Sequence, residues 1–274
     1  MLRYTTFFLL VLTTTLNAQD LTVMTYNIRY ATERDGDNQW ENRKKMLVDQ
    51  IKFYEPKVFG IQEGLLSQVS YLDEALEDYA YVGVGRDDGK TKGEFSAIFY
   101  RKHELDTLTQ GTFWLSQDPL RPSVGWDAAM ERVCTYAKFK YENNTLWVFN
   151  THFDHMGEKA REESAKLILR QIKRLNNDSD PVVLMGDFNA TVADAPIKVI
   201  LDDMKDTFVS TTNAYGAPTT FNGFSLEYDR DRRIDFVFHS DNVTCLKTAI
   251  LSQVMDGRFP SDHFPVISYL RLNN

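Results

Sequence analysis

The sequence predicts an α+β domain with two sheets packed face to face and helices outside. Three observations carry this. Short apolar or alternating runs that read as strands outnumber stretches with helical periodicity. The helical stretches fall between strands at irregular intervals, not in the regular βαβ alternation of a parallel sheet. No repeat, low-complexity tract or linker divides the chain, and its 43% apolar and 26% charged composition suffices for a sizeable core.

The first 18 residues read as an export signal. Arg3 supplies the positive region, residues 7–12 the apolar core, and Leu16-Asn17-Ala18 the cleavage site, leaving a domain over residues 19–274 outside the cytoplasm, secreted or periplasmic. No later stretch approaches the roughly 18 apolar residues of a spanning helix. Residues 21–28 alternate like a half-buried strand and deliver the amide of Asn27. Residues 31–38 are polar and turn-forming. From Trp40 to the stop at Pro56, Met46, Leu47, Ile51 and Tyr54 recur at helical spacing. Residues 57–64 form a second short apolar run that presents Glu63. Ser67 is the expected cap of a helix with Val69, Leu72, Ala75 and Leu76 on its inner face.

Strands are expected over residues 81–85 and 94–100, with a charged loop between them and Glu94 opening the second. Residues 132–141 and 145–152 read as a hairpin turning at Glu142-Asn143-Asn144. Residues 157–175 carry the clearest helical face, with Ala160, Ser164, Leu167, Ile168 and Ile172 aligned. The stretch Val182-Val183-Leu184-Met185-Gly186-Asp187-Phe188-Asn189 reads as a buried strand ending at a glycine turn. Asp187 and Asn189, two apart, leave it on the same side. A short helix over 195–204, an alternating strand over 233–239 and a last strand over 264–270 complete the chain.

The net charge of −8 and the absence of a basic stripe argue against tight, non-specific DNA groove binding, while leaving small molecules and short nucleic acids open as substrates. Cys134 and Cys245 lie in expected strands, as a disulfide of an oxidising compartment or as two buried thiols. The loops 114–128 and 213–229 bring Trp114, Trp126, Tyr215, Phe221, Phe224 and Tyr228, aromatics suited to stacking on a base or sugar or to packing the rim.

Six strand ends or strand-adjacent loops each present polar groups: Asn27; Glu63; His152 with Asp154; Asp187 with Asn189; Asp235; and Asp262 with His263. If these ends converge, the carboxylates repel one another and require a cation, protonation or histidinium partners. Oxygen ligands without cysteine suit a hard ion, Mg²⁺, Mn²⁺ or Ca²⁺. Acids, imidazoles, amides and such an ion together form the equipment of phosphoester hydrolysis.

The motifs Thr25-Tyr26-Asn27, Gln62-Glu63, Thr151-His152-Phe153-Asp154, Gly186-Asp187-Phe188-Asn189, Arg233-Ile234-Asp235 and Ser261-Asp262-His263 resemble, in order and from residue 21 onward, the endonuclease/exonuclease/phosphatase superfamily. Residues 113–116 and 125–127 resemble its secreted bacterial branch. The resemblance implies a DNase-like four-layer α/β sandwich of two mainly antiparallel sheets flanked by helices, with the site at one rim. It implies Glu63 as main metal ligand with Asn27 and Asp262 close by, and Asp187 as the group that orients or deprotonates the attacking water. Asn189, His152 and His263 would contact the phosphate, with Asp235 fixing the tautomer of His263. Glu94 would stand behind His152, and Arg132 would bind phosphate or serve only a structural ion pair. The expected protein is a monomeric, metal-dependent phosphoester hydrolase acting by in-line water attack; the alternative is a non-catalytic binding module on the same scaffold. Nuclease relatives often carry an arginine shortly after the motif glutamate; here Gly64-Leu65-Leu66 follows.

Overall fold

The computed structural model describes residues 20–273; the expected export signal lies outside the described residues. In chain order the strands are β1 (Asp20–Asn27), β2 (Val58–Gln62), β3 (Tyr79–Val82), β4 (Ile98–Arg101), β5 (Leu105–Trp114), β6 (Val133–Tyr141), β7 (Asn144–His152), β8 (Val182–Asp187), β9 (Lys205–Asp206), β10 (Ala214–Gly216), β11 (Asp235–His239), β12 (Val243–Ile250) and β13 (Val266–Leu272). The helices are α1 (Trp40–Tyr54), α2 (Leu66–Ala75), α3 (Glu158–Leu175), α4 (Ala195–Leu201) and α5 (Thr207–Ser210), with a short 3-10 turn at Glu33–Asn38. One sheet has the order β10-β12-β13-β1-β2-β4-β3 and the other β5-β6-β7-β8-β11-β9. Most neighbours are antiparallel; β1/β2, β7/β8 and β10/β12 run parallel.

The strands carry apolar residues on both faces because both faces of each sheet are covered. In β1, Leu21 and Val23 enter the core between the sheets, where they join Val148, Val183 and Met185 of the facing sheet. The alternate β1 residues Met24 and Tyr26 pack outward with Leu47, Ile51, Val69 and Leu72 of α1 and α2. In the second sheet Leu184, Phe236 and Phe238 face outward onto Ile168 of α3 and Ile197 of α4. The period of two along each strand thus builds the expected four layers, helix–sheet–sheet–helix.

Several boundaries differ from the sequence reading. β8 does not end at Gly186 but continues to Asp187. A Cβ at Gly186 would lie 2.1 Å from the carbonyl oxygen of Thr151, so glycine here admits close approach of β7 rather than ending the strand. Of the run 94–100 only residues 98–100 are strand, as part of β4, because Phe95 makes isolated bridges to Gly64 and Gly85 and Glu94 is drawn to Arg86. Helix α2 begins at Leu66, and Gln68 takes the capping place expected of Ser67: its Oε1 accepts the amide of Leu65 at 3.1 Å and that of Ala31 at 2.8 Å. Cys134 and Cys245 are free thiols, the first packed beneath α3 and the second between the sheets.

Two buried polar side chains join the layers near one rim. Asn150 of β7 donates to the carbonyls of Ile61 (2.8 Å) and Ala97 (2.9 Å), and its Oδ1 accepts Gln62 Nε2 at 2.7 Å. Arg43 of α1, 1% exposed, donates to the carbonyls of Ile28, Arg29, Asn38 and Pro260. It thereby fixes the segment after β1 against the segment that leads to Asp262.

Candidate active site

Strand register brings the sequence-predicted groups together. The parallel β7–β8 ladder sets His152 opposite Asp187, and the antiparallel β8–β11 ladder sets Asp235 opposite the same Asp187. In the other sheet the parallel β1–β2 ladder pairs Asn27 with Gln62, so Glu63 emerges beside Asn27. Glu63 and Asn189 both adopt left-handed backbone, φ 63° and 45°, an uncommon state that turns their side chains back over the strand ends. Thr220 holds the remaining corner: its Oγ1 accepts the amides of Ile234 and Asp235, and its carbonyl accepts the amide of Phe264.

These ends surround a cavity of about 440 Å³. At its floor, Asp187 Oδ2 lies 3.5 Å from His152 Nε2 and 3.8 Å from His263 Nε2. Asp187 Oδ1 accepts the amide of Asn189 at 2.9 Å. His263 Nδ1 meets Asp235 Oδ2 at 2.8 Å. Asn189 Nδ2 reaches His152 Nε2 and the carbonyl of Phe153, each at 3.0 Å. Asn27 spans the two sheets, its Nδ2 donating to Glu63 Oε1 (3.0 Å) and Asp187 Oδ2 (2.9 Å). Its Oδ1, the atom a cation would take, accepts the amide of Arg29 at 3.0 Å and keeps a second lone pair.

Burial and mutual charge set the protonation pattern. Burial, followed by the charge of Asp235, raises Asp187 to about 6. Burial opposes charging His263, but Asp235 and Asp187 outweigh it and lift the imidazole to about 10. His152 is driven well below the usual histidine range, first by burial and then by Arg132 and Arg86, and is neutral. Glu63 is raised by burial and by the neighbouring Asp262. Glu63 and the neighbouring Asp262, two carboxylates at the edge of one cavity, are a donor set suited to a hard divalent ion. Glu63, His152 and Asp187 also each offer a ligand atom within 4.8 Å of the others. The residues present therefore fit such an ion.

Glu94 lies 3.9 Å from His152 Nδ1, beyond hydrogen-bond reach, because the fork of Arg86 grips both its oxygens at 2.7 and 2.9 Å. Arg132 lines the cavity and is also ion-paired: its Nε is 3.3 Å from Asp154 and its Nη2 is 3.0 Å from His155 Nδ1. It lies at once on the cavity wall and in a buried ion pair. Of the aromatic loops, only Phe221 enters the cavity wall, edge-on to His263 at 5.1 Å. Trp114 is buried with its Nε1 on the carbonyl of Arg86, Tyr228 packs on Phe259 and Phe264, and Phe224 joins the core; rim packing accounts for these.

Arg29, Arg86, His155 and Arg232 also line the cavity and were not singled out from sequence. Arg29 lies 3.8 Å from Glu63 and 3.9 Å from Asp262. Its place two residues beyond Asn27, at the same strand end, was a usable signal; Arg86 sat in a charged loop that gave none.

A four-layer sandwich whose rim gathers carboxylates, three imidazoles and arginines in one cavity defines a phosphoester hydrolase. The chain belongs to the Endonuclease/Exonuclease/phosphatase family, whose profile matches residues 24–263. Among solved structures, an endonuclease/exonuclease/phosphatase from Bacteroides vulgatus is 38% identical with a TM-score of 0.89, over 93% of this chain and 100% of that one. A mannosyl-6-phosphatase of Bacteroides thetaiotaomicron is 37% identical with a TM-score of 0.87, over 91% of this chain and 99% of its own. An uncharacterized protein of Acanthamoeba polyphaga mimivirus is 26% identical over 84% of this chain and 91% of its own length.

Proposed function

We propose that the protein is an exported, divalent-metal-dependent phosphoester hydrolase that cleaves by in-line attack of water. The observation that carries this reading is the placement of Asp187 Oδ2 between the Nε2 atoms of His152 and His263, with Asn27 tying the same carboxylate to Glu63. Glu63 and Asp262 would hold Mg²⁺, Mn²⁺ or Ca²⁺, with Asn27 setting their distance from Asp187. When bound, such an ion neutralises phosphoryl oxygens and polarises phosphorus.

The chain's own groups supply the rest. Asp187, held by the Asn189 amide and Asn27, takes the proton of the attacking water as the new P–O bond forms. His263, kept charged and oriented by Asp235, donates N–H to the phosphoryl group as negative charge grows there. Asn189 positions a phosphoryl oxygen or the water, and neutral His152 offers it a second contact. The ester P–O bond breaks, and the departing oxygen takes a proton from solvent to leave as an alcohol.

The likeness to a mannosyl-6-phosphatase makes sugar phosphates the first substrates to try. The test is a screen with metal add-back across sugar phosphates, nucleotides, bis(p-nitrophenyl) phosphate, short RNA and DNA, and phospholipids. Turnover that EDTA abolishes and Mg²⁺ or Mn²⁺ restores is expected; its absence on every substrate would overturn the reading. Export is checked by the N-terminus of the protein recovered outside the cytoplasm, expected at Gln19.

A further inference from the structure

The four arginines that line the cavity among the described residues are not equally available. Asp35 holds Arg29 through two hydrogen bonds of 3.0 and 2.9 Å, Glu94 holds Arg86 at 2.7 and 2.9 Å, and Asp154 lies 3.3 Å from Arg132. Arg232 has no carboxylate partner among the described residues. Its guanidinium instead lies over the ring of Phe221, 4.0 Å from the centroid. That ring meets His263 edge-on at 5.1 Å, and the backbones of Phe221 and His263 form an isolated bridge. The carbonyl of Arg232 accepts the amides of Thr220 (3.1 Å) and Phe221 (3.3 Å), which anchors the base of the side chain. An uncompensated cation is therefore held one aromatic ring away from His263, on the cavity wall.

Stacking on Phe221 strips water from one face of the guanidinium and narrows its rotamers, and both effects strengthen its pairing with an incoming anion. A phosphodiester group brings one negative charge to this centre. A phosphomonoester brings close to two at neutral pH. The other three guanidiniums already face carboxylates, so the second charge finds its unpaired counterion at Arg232.

We propose that Arg232 is a specificity-determining residue that pairs with the second phosphoryl charge, making this chain a phosphomonoesterase that discriminates against diesters. The inference rests on the reading of the cavity as a phosphoester hydrolase site.

The test compares wild type, Arg232→Gln and Arg232→Lys on p-nitrophenyl phosphate and bis(p-nitrophenyl) phosphate, which share a leaving group. Arg232→Gln should reduce the monoester-to-diester ratio of kcat/KM about tenfold, equivalent to about 1.4 kcal/mol. The change should lie mainly in KM for the monoester, and inorganic phosphate should weaken as an inhibitor by a similar factor. Arg232→Lys should recover part of the ratio. An unchanged ratio, or equal losses on both esters, overturns the assignment while leaving the hydrolase reading intact. A wild-type protein that cleaves neither ester and no phosphomonoester of the metal add-back screen overturns this inference, and turnover on no substrate of that screen overturns the hydrolase reading as well.

Discussion

Asp187 stands directly opposite His152 in the parallel β7–β8 ladder, and its Oδ2 lies 3.5 Å from the imidazole Nε2. The relationship is fixed by backbone register, so it does not depend on a flexible loop. Replacing Asp187 by alanine should leave the ladder intact and remove the group that accepts the water proton. Turnover should fall roughly a hundredfold or more, the scale of acid–base groups. A folded Asp187→Ala protein with near-wild-type kcat would remove Asp187 from the chemistry.

Asp235 acts through His263, to which it is bonded at 2.8 Å. Asp235→Asn preserves shape but withdraws the negative charge that keeps the imidazole protonated. We expect kcat to drop about tenfold to a thousandfold, with the alkaline limb of the rate–pH profile moving to lower pH. The shift of that limb separates loss of orientation and charge from general loosening of the site; an unmoved limb would contradict the assignment.

The strut beneath the site makes a stability prediction. A Cβ at Gly60 would lie 2.5 Å from the side-chain carbon of Asn150, whose amide bonds to the carbonyls of Ile61 and Ala97. Gly60→Ala must therefore displace that amide, which strands the buried carbonyl of Ile61 and takes one of two donors from that of Ala97, which keeps the amide of Ile61 at 2.9 Å. The cost should be roughly 2–4 kcal/mol, combining overpacking with unsatisfied polar groups. A urea denaturation midpoint unchanged from wild type would show that the strut is dispensable.

Much of this site was legible before any geometry. Asn27, Glu63, Asp187, Asp235 and His263 each end a strand or border one, and alternation of apolar residues located those ends. The sequence could not show that Asn27 would span both sheets, because residues 27 and 187 are 160 positions apart and meet only through sheet stacking. Arg86 was invisible for a similar reason: nothing in the loop between the expected strands marked its fork as the partner of Glu94. The strand through Gly186 runs past the end expected for it because glycine serves equally for a turn and for close strand approach, and only the position of the Thr151 carbonyl decides between them.

Metal removal has a readout independent of turnover. Burial and Asp262 both disfavour charge on Glu63, so a bound divalent ion relieves a cost that the metal-free protein carries. Adding Mn²⁺ or Mg²⁺ at about a hundred times its Kd should stabilise the fold by about 2.7 kcal/mol. Glu63→Gln should abolish most of that increment without lowering the melting temperature of the metal-free protein. An equal increment in the variant would place the ion elsewhere.

The pH dependence follows from the two shifted groups at the centre. Asp187, raised to about 6, is protonated below that pH and unable to accept the water proton, so kcat/KM should climb as pH rises through 6. His263, raised to about 10, stays charged across neutrality and releases its proton only near pH 10, where the rate should fall. The same shift contributes to stability. Because the folded imidazole holds its proton more tightly than the unfolded one, its contribution is full below the ordinary histidine value of 6.5 and is lost as pH rises through about 10. His263→Gln should therefore flatten the alkaline decline of stability relative to wild type while reducing turnover. Urea titrations at pH 6, 8 and 10 test the first consequence, and a wild-type protein equally stable at all three would show that the Asp235–His263–Asp187 array does not hold the proton.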